Sequence, residues 1–328
     1  MVLVLASAAM VLASWFVVQR FKAFAQTPLP ITAPMVLSLA PGSSFQRLPR
    51  QLAVLGLAQE HWHWRWYGRL HQPTLRVGEY WVEPGMTIEQ LVQHLSSGAV
   101  RRHRLTIIEG WTVAELRAQL ATDVRLMPLS RDWDEAKLMA HLGCVGCWAE
   151  GRFLPETYTF ERPFSDSDLL SLAYTAMNRA LDQAWSQRQA ELPLANTDEL
   201  LIMASLIEKE ARLASERPEI AGVFARRLQQ GMRLQTDPTV VYGLDASEFD
   251  GRIRRVHLRT DHPWNTYTRH GLPATPIALP GRASIEAAAQ PKAGRSLYFV
   301  ARGDGSHHFS ESLAEHNRAV DRYIRGRP

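Results

Sequence analysis

The chain has 328 residues, 46% of them hydrophobic and 21% charged, so it holds about two domains with a buried core and is not a disordered or low-complexity protein. Its formal net charge of +4 and pI of about 9.2 suit an anionic surface or polymer without requiring one.

Residues 1–18 carry no charge, and Arg20 and Lys22 end the run. This is near the lower length limit for a helix that crosses a bilayer. One reading is a membrane anchor. The other is a cleaved signal peptide, with Ala23, Phe24 and Ala25 as an A-x-A-like site. The positive segment expected ahead of a signal peptide is missing, and Arg20 and Lys22 lie on the wrong side of the run for an anchor with its N-terminus inside. A start assigned too late, without a short basic tail, accounts for both. The anchor is the favoured reading, and either one takes the chain out of the cytosol.

A short linker with Thr27, Pro28 and Pro30 follows. Residues 35–39 read as a strand. Ser43 or Ser44 is positioned to cap a helix over 46–57. Residues 61–71 are dense in aromatics: Trp62, Trp64, Trp66 and Tyr67. A strand over 76–82 precedes an amphipathic helix opened by Thr87, with Ile88, Leu91, Val92 and Leu95 on one face and Gly98 at its end. A strand over 100–108 completes a small α+β unit. Arg65, Arg69, Arg76, Arg101, Arg102 and Arg104 interleave with its tryptophans. That mixture binds nucleic acid in some proteins and glycans in others. Export argues against nucleic acid, and the plainest alternative is that most of these tryptophans are core.

Helices are expected over 112–122 and 134–142. Cys144 and Cys147 are the only cysteines. A lone C-x-x-C has no second pair to complete a zinc site, and no thioredoxin-like pattern surrounds it, so it reads as a loop disulfide or two structural thiols. Residues 151–160 look like a loop or extended segment. A long helix follows over 165–192, then one capped by Asn196 or Thr197 and ending near Glu208–Arg212, then one over 217–230 that stops at Gly231. Helical periodicity fades beyond it. Strands over 297–301 and 307–310 flank a glycine turn, and a terminal helix covers 313–324.

The helix ending at Glu208 is the main candidate for chemistry. Leu200, Leu201, Ile202, Met203 and Ala204 make it apolar on nearly every side, as a buried helix is. A carboxylate carried off its end loses water, which raises its pKa and makes a general acid. The alternative is a surface glutamate paired with Lys209 or Arg212. Glu210 cannot be its catalytic partner, because two residues along a helix is a rotation of roughly 200°. Asp237 and Glu156 are possible second carboxylates by sequence distance only. The loops with Gln235, Thr236 and Asp237, and with Trp264, Asn265, Thr266 and Tyr267, carry amides, hydroxyls and a phenol suited to sugar recognition. There is no G-x-S-x-G, no H-E-x-x-H and no phosphate-binding G-x-x-x-x-G-K-[ST] motif. His307, His308 and His316 have no diagnostic metal spacing.

Several blocks in order resemble the endolytic murein transglycosylase (YceG-like) family. They are Glu109–Gly110–Trp111–Thr112, Pro155–Glu156–Thr157–Tyr158, the run Ala204–Ser205–Leu206–Ile207–Glu208–Lys209–Glu210, and the segment from Gly231 through Leu234, Gln235, Thr236, Asp237, Pro238 and Thr239. Asn265–Thr266–Tyr267, Gly271–Leu272–Pro273, Pro276–Ile277, Pro280–Gly281, Leu297–Tyr298–Phe299–Val300 and His316–Asn317 follow. Trp264 stands where the family usually has tyrosine, and Ala274 where proline is common.

The resemblance implies an α+β architecture in four parts: a transmembrane anchor (1–19), a linker (20–33), a LysM-like subdomain (34–108) and a larger, mainly helical catalytic domain with a small β element (109–328) facing the periplasm from the inner membrane. It implies cleavage of the MurNAc-β-1,4-GlcNAc bond inside peptidoglycan strands without water, leaving 1,6-anhydro-MurNAc ends. The first glutamate of E-K-E, here Glu208, would be catalytic. Gln235, Asp237, Asn265, Thr266 and Tyr267 would hold the sugars or orient it. No metal or cofactor is implied. The partners implied are glycan strands, the membrane and the peptidoglycan synthases, and not nucleic acid. Two competing readings are a hydrolytic muramidase with Asp237 as second carboxylate, and a non-catalytic wall-binding scaffold.

Overall fold

The computed structural model describes residues 2–58, 62–244 and 249–326, with side chains from Ser7 onward. It is a mixed helix-and-sheet protein whose described strands form three two-stranded sheets. The chain divides into two units. One comprises Met1–Arg104 with Thr159–Phe164, and the other comprises Leu105–Tyr158 with Ser165–Pro328.

The first unit starts with α1 (Val2–Ala25), in which Ser7–Ala25 is long and apolar enough to cross a membrane. Then come β1 (Met35–Leu39), α2 (Leu48–Val54), α3 (Trp62–His71), β2 (Gly78–Val82), α4 (Ile88–Ser97) and β3 (Arg102–Thr106). β1 and β2 run antiparallel, with Leu37 opposite Tyr80. Alternation along β1 sends Leu37 and Leu39 into a core shared with Leu52, Trp64, Tyr80, Leu91 and Leu95. Thr87 caps α4 in a capping box with Gln90, and Gly98 closes it at φ 76°, a left-handed position suited to glycine. α2 differs from expectation. It is shorter, it starts after Arg47 without a side-chain cap, and Pro49 sets its first turn where Ser43 or Ser44 was expected to cap it. The tryptophans also divide differently from a mostly buried set: Trp64 is buried, while Trp62, Trp66 and Trp81 are exposed. Arginines cover two of the exposed rings, Arg69 over Trp66 and Arg101 over Trp81.

In the second unit come α5 (Val113–Thr122), α6 (Glu135–His141), β4 (Thr157–Glu161), α7 (Asp166–Ser186), α8 (Thr197–Glu210), α9 (Arg217–Gln229), α10 (Asp237–Tyr242), α11 (Arg255–Arg259), α12 (Arg282–Ala289), β5 (Tyr298–Ala301), β6 (His307–Ser310) and α13 (Leu313–Tyr323). β3 pairs with β4, and the division between the units falls inside these two strands. Cys144 and Cys147, in the loop after α6, are joined as a disulfide.

α8 is the centre of the second unit. α7, α9, α10 and α12 all pack on it. Its apolar run is buried on almost every side, from Leu200 to Ile207 with only Ile202 partly open. Ala287, Ala288 and Ala289 on α12 belong to the same core, and their small side chains let the two helices approach closely. Asn196 caps α8 through the Glu199 N–H, and the helix ends at Glu210. Leu206 is fully buried, so Leu206→Ala is expected to lower stability by about 2–5 kcal/mol, read from denaturant unfolding. α7 stops at Ser186, shorter than expected. Beyond Gly231, where periodicity fades, the chain still forms α10, α11 and α12 of six, five and eight residues.

Candidate active site

Glu208 lies in the last turn of α8 with its side chain only 6% exposed. Its carboxylate is not left bare. Oε2 accepts from the Ser284 hydroxyl at 2.7 Å and from the Gly281 N–H at 3.0 Å, and Oε1 faces an Arg217 Nη2 at 3.2 Å. Gly281 caps α12 and Ser284 lies in its first turn, so the carboxylate meets the positive end of a helix. Arg217, the first residue of α9, is itself mostly buried, and its Nε has no partner among the described residues. The expectation of a carboxylate stripped of water is met in burial. The three donors around it were not anticipated.

Glu109 completes this cluster. Its Oε2 lies 3.4 Å from the same Arg217 nitrogen, so Arg217 bridges two carboxylates. Two backbone bonds hold the Glu109 segment in place: Gly110 N–H to Leu279 O at 2.9 Å and Leu279 N–H to Trp111 O at 2.7 Å. Lys209 Nζ adds a bond to Gly110 O at 3.2 Å. A Cβ at Gly281 would meet the end of the Glu109 side chain, which would have to swing aside. Glu156 lies beside the cluster through Arg282 at 3.1 Å and does not touch Glu208.

The polar loops form a second cluster. Tyr267 Oη donates to Asp237 Oδ1 at 2.6 Å, and the Thr236 hydroxyl donates to Glu210. Burial, then the nearby Asp237 charge, pushes the Glu210 carboxyl above its ordinary value, although part of the residue's surface stays open. Burial and the Asp237 carboxylate likewise push the Tyr267 phenol up. Gln235 is exposed in a left-handed conformation (φ 49°), with its N–H on Thr266 O at 3.2 Å. Glu208 and Glu210 thus serve separate clusters, as the helix rotation requires.

Asn265 and Thr266 lie inside rather than at the surface, 0% and 2% exposed. The Asn265 amide donates to the carbonyls of Thr260 at 2.7 Å and His257 at 3.1 Å, and its Oδ1 accepts from the Tyr267 N–H at 2.9 Å. The Thr266 hydroxyl meets the Thr236 N–H at 3.0 Å and the Thr239 hydroxyl at 2.9 Å. These two residues hold the loops that carry Gln235, Asp237 and Tyr267. Asn265→Ala removes its bonds to the Thr260 and His257 carbonyls and to the Tyr267 N–H, and is expected to cost about 1–3 kcal/mol, read from thermal unfolding. Trp264 is also committed to packing: its Nε1–H donates to Thr275 at 2.8 Å, and its ring meets Tyr242 edge-on.

Sequence reasoning did not find Glu150. It is buried beneath the start of α5, where both carboxylate oxygens face the Val113 N–H at 3.1 and 3.3 Å and Oε2 accepts from Tyr242 Oη at 3.1 Å. Burial pushes its carboxyl up to about 7, and these donors pull the other way. Arg217 and Ser284 were also missed. His307 is engaged by Glu216 at 2.7 Å and His316 stacks on Tyr298. No three His, Cys, Asp or Glu among the described residues are grouped to hold a metal ion.

α8 thus delivers the buried Glu208 carboxylate to the N-terminus of α12, with Arg217 beside it. The chain belongs to the YceG-like family, whose profile matches residues 37–322. It is 31% identical over 273 residues to the endolytic murein transglycosylase of Bacillus subtilis (strain 168), covering 76% of this chain and 73% of that one. The endolytic murein transglycosylase of Streptococcus pneumoniae serotype 2 (strain D39 / NCTC 7466) is 26% identical over 323 residues, and the match covers 88% of this chain and 58% of that longer protein. In structure it is similar to a YceG-like protein of Listeria monocytogenes, with a TM-score of 0.55 and 27% identity over 87% of this chain and 99% of that one.

Proposed function

We propose that this chain is an endolytic peptidoglycan lytic transglycosylase and that Glu208 is its acid and base. The family and the curated relatives support the reaction. The observation that carries the residue is the buried Glu208 carboxylate, held by Ser284, Gly281 and Arg217. Protonated Glu208 gives its proton to the leaving glycosidic oxygen as the C1–O bond breaks. The carboxylate so formed keeps a cation and two donors around it. It then takes the proton of the muramyl C6 hydroxyl as that oxygen bonds to C1. Water is not consumed, and the strand ends in a 1,6-anhydro ring. One group serves both steps.

In this reading Gln235, Asp237 and Tyr267 contact the sugars, while Asn265 and Thr266 position them from below. The α1 helix spans the inner membrane, residues 34–108 form a LysM-like, glycan-binding subdomain, and residues 109–328 work in the periplasm. Nascent strands as substrate place the enzyme beside the peptidoglycan synthases. The muramidase reading needs a second carboxylate across the scissile bond. Asp237 is bonded to Tyr267, and Glu109 shares Arg217 with Glu208 on one side.

Digesting purified peptidoglycan with the full chain and weighing the fragments tests the proposal. Internal cleavage giving anhydro ends is expected. Reducing ends would establish the muramidase, and intact strands with bound, folded protein would establish the scaffold.

A further inference from the structure

α3 has two unlike faces. Trp64 and Tyr67 point into the core of the first unit, 2% and 4% exposed. Gly68 lets Phe45 lie against the helix, since a Cβ there would come within 2.8 Å of the ring. Trp62, Trp66 and Leu70 recur every fourth residue and so share one stripe. They are 53%, 55% and 69% exposed. Arg65 and Arg69 flank the stripe, and the Arg69 guanidinium lies over the Trp66 ring.

The end of α1 fixes where this stripe lies. Phe21 stacks on Tyr67 at 5.8 Å and on His71 at 6.2 Å, and Phe24 meets His63 at 5.0 Å and Trp64 at 5.3 Å. α3 is therefore docked where α1 turns from apolar residues to Arg20 and Lys22. Between the two helices runs a mostly apolar groove of about 820 Å³, lined by Val17, Val18, Phe21, Trp66 and Leu70. Glu89 also borders it, and its carboxylate accepts from the Gln26 amide at 2.6 Å.

We propose that α3 lies in the membrane interface, with Trp62, Trp66 and Leu70 among the upper acyl chains and lipid filling the groove against α1. Lys22, Arg65 and Arg69 then reach anionic headgroup phosphates. The inference rests on α1 spanning the membrane. Three features favour lipid as the occupant. The stripe is continuous with the exposed apolar surface of α1 at Val17 and Val18. Tryptophan is the side chain enriched at the boundary between acyl chains and water. Long basic side chains beside it extend to the headgroups while their stems stay apolar. The first unit is then held flat against the bilayer by two elements rather than tethered by one.

The test uses the full chain with Val17, Trp66, Leu70 or Val124 changed singly to cysteine and spin-labelled; the two native cysteines are joined to each other. Each variant is placed at one copy per nanodisc of phosphatidylethanolamine and phosphatidylglycerol. Collisions with oxygen report lipid, and collisions with a nickel chelate report water. Labels at 17, 66 and 70 are expected to collide preferentially with oxygen, those at 66 and 70 at shallower depth, and the label at exposed Val124 with nickel. Lipid contact at 17 with nickel-accessible labels at 66 and 70 would overturn the inference and leave the anchor standing. Shielding of 66 and 70 from both reagents would mean a protein contact and overturn it equally. Nickel access at 17 would remove the anchor reading, and the inference with it.

Discussion

Glu208→Gln is expected to abolish strand cleavage while leaving the fold and glycan binding in place. The amide has no proton for the leaving oxygen and no charge to take one from the C6 hydroxyl. A positioned acid or base contributes ~10²–10⁴-fold, and here one group does both jobs, so the loss should reach or pass the top of that range. The fold survives for geometric reasons. Glutamine keeps an oxygen for the Ser284 hydroxyl and the Gly281 N–H, and Arg217 keeps Glu109 as counter-charge. The check is product release from purified peptidoglycan, alongside circular dichroism and a pull-down on insoluble peptidoglycan. A folded, binding variant that cleaves at the native rate would remove Glu208 from the mechanism.

The second large effect is on stability and concerns Glu150. Burial raises its carboxyl from 4.5 to about 7 in the native state. The folded protein therefore holds this proton more tightly than the unfolded chain does. Its contribution is fully present below 4.5 and is lost as pH rises through about 7. The difference corresponds to about 3 kcal/mol once both states are ionised. Glu150→Gln stays neutral and lacks this slope. Relative to the native protein, it should gain up to about 3 kcal/mol at pH 8 and nothing at pH 4. Urea unfolding at the two pH values measures the difference, and parallel pH dependences would contradict it. The position matters because Glu150 ties the start of α5, four residues from Glu109, to Tyr242 at the end of α10.

Local pattern carried part of this site into the sequence. The run from Leu200 to Ala204 read as a buried helix because apolar residues cover all its sides. The same geometry separated Glu208 from Glu210, which serve different clusters in the structure. The remaining partners of Glu208 were invisible to local pattern. Ser284 is 76 residues away, and Arg217 is one of 37 basic residues, with nothing in its neighbours to mark it. Glu150 looks like a loop glutamate until α5 and α10 close over it. Helices of five to eight residues complete too few turns to show a period, so α10, α11 and α12 were missed. The aromatic density of 61–71 hid α3, because indoles line both of its faces and leave no contrast between polar and apolar positions. Asn265 and Thr266 show the reverse: amide and hydroxyl chemistry pointed to sugars, while both groups are buried and bonded within the protein, Asn265 to backbone and Thr266 to the Thr236 N–H and the Thr239 hydroxyl.

In the proposed mechanism the second proton comes from a sugar hydroxyl and not from water. Digestion of peptidoglycan in H₂¹⁸O, followed by mass spectrometry of the new muramyl ends, measures this directly. Anhydro ends that carry no ¹⁸O are expected. Reducing ends with one ¹⁸O at C1 would contradict the mechanism.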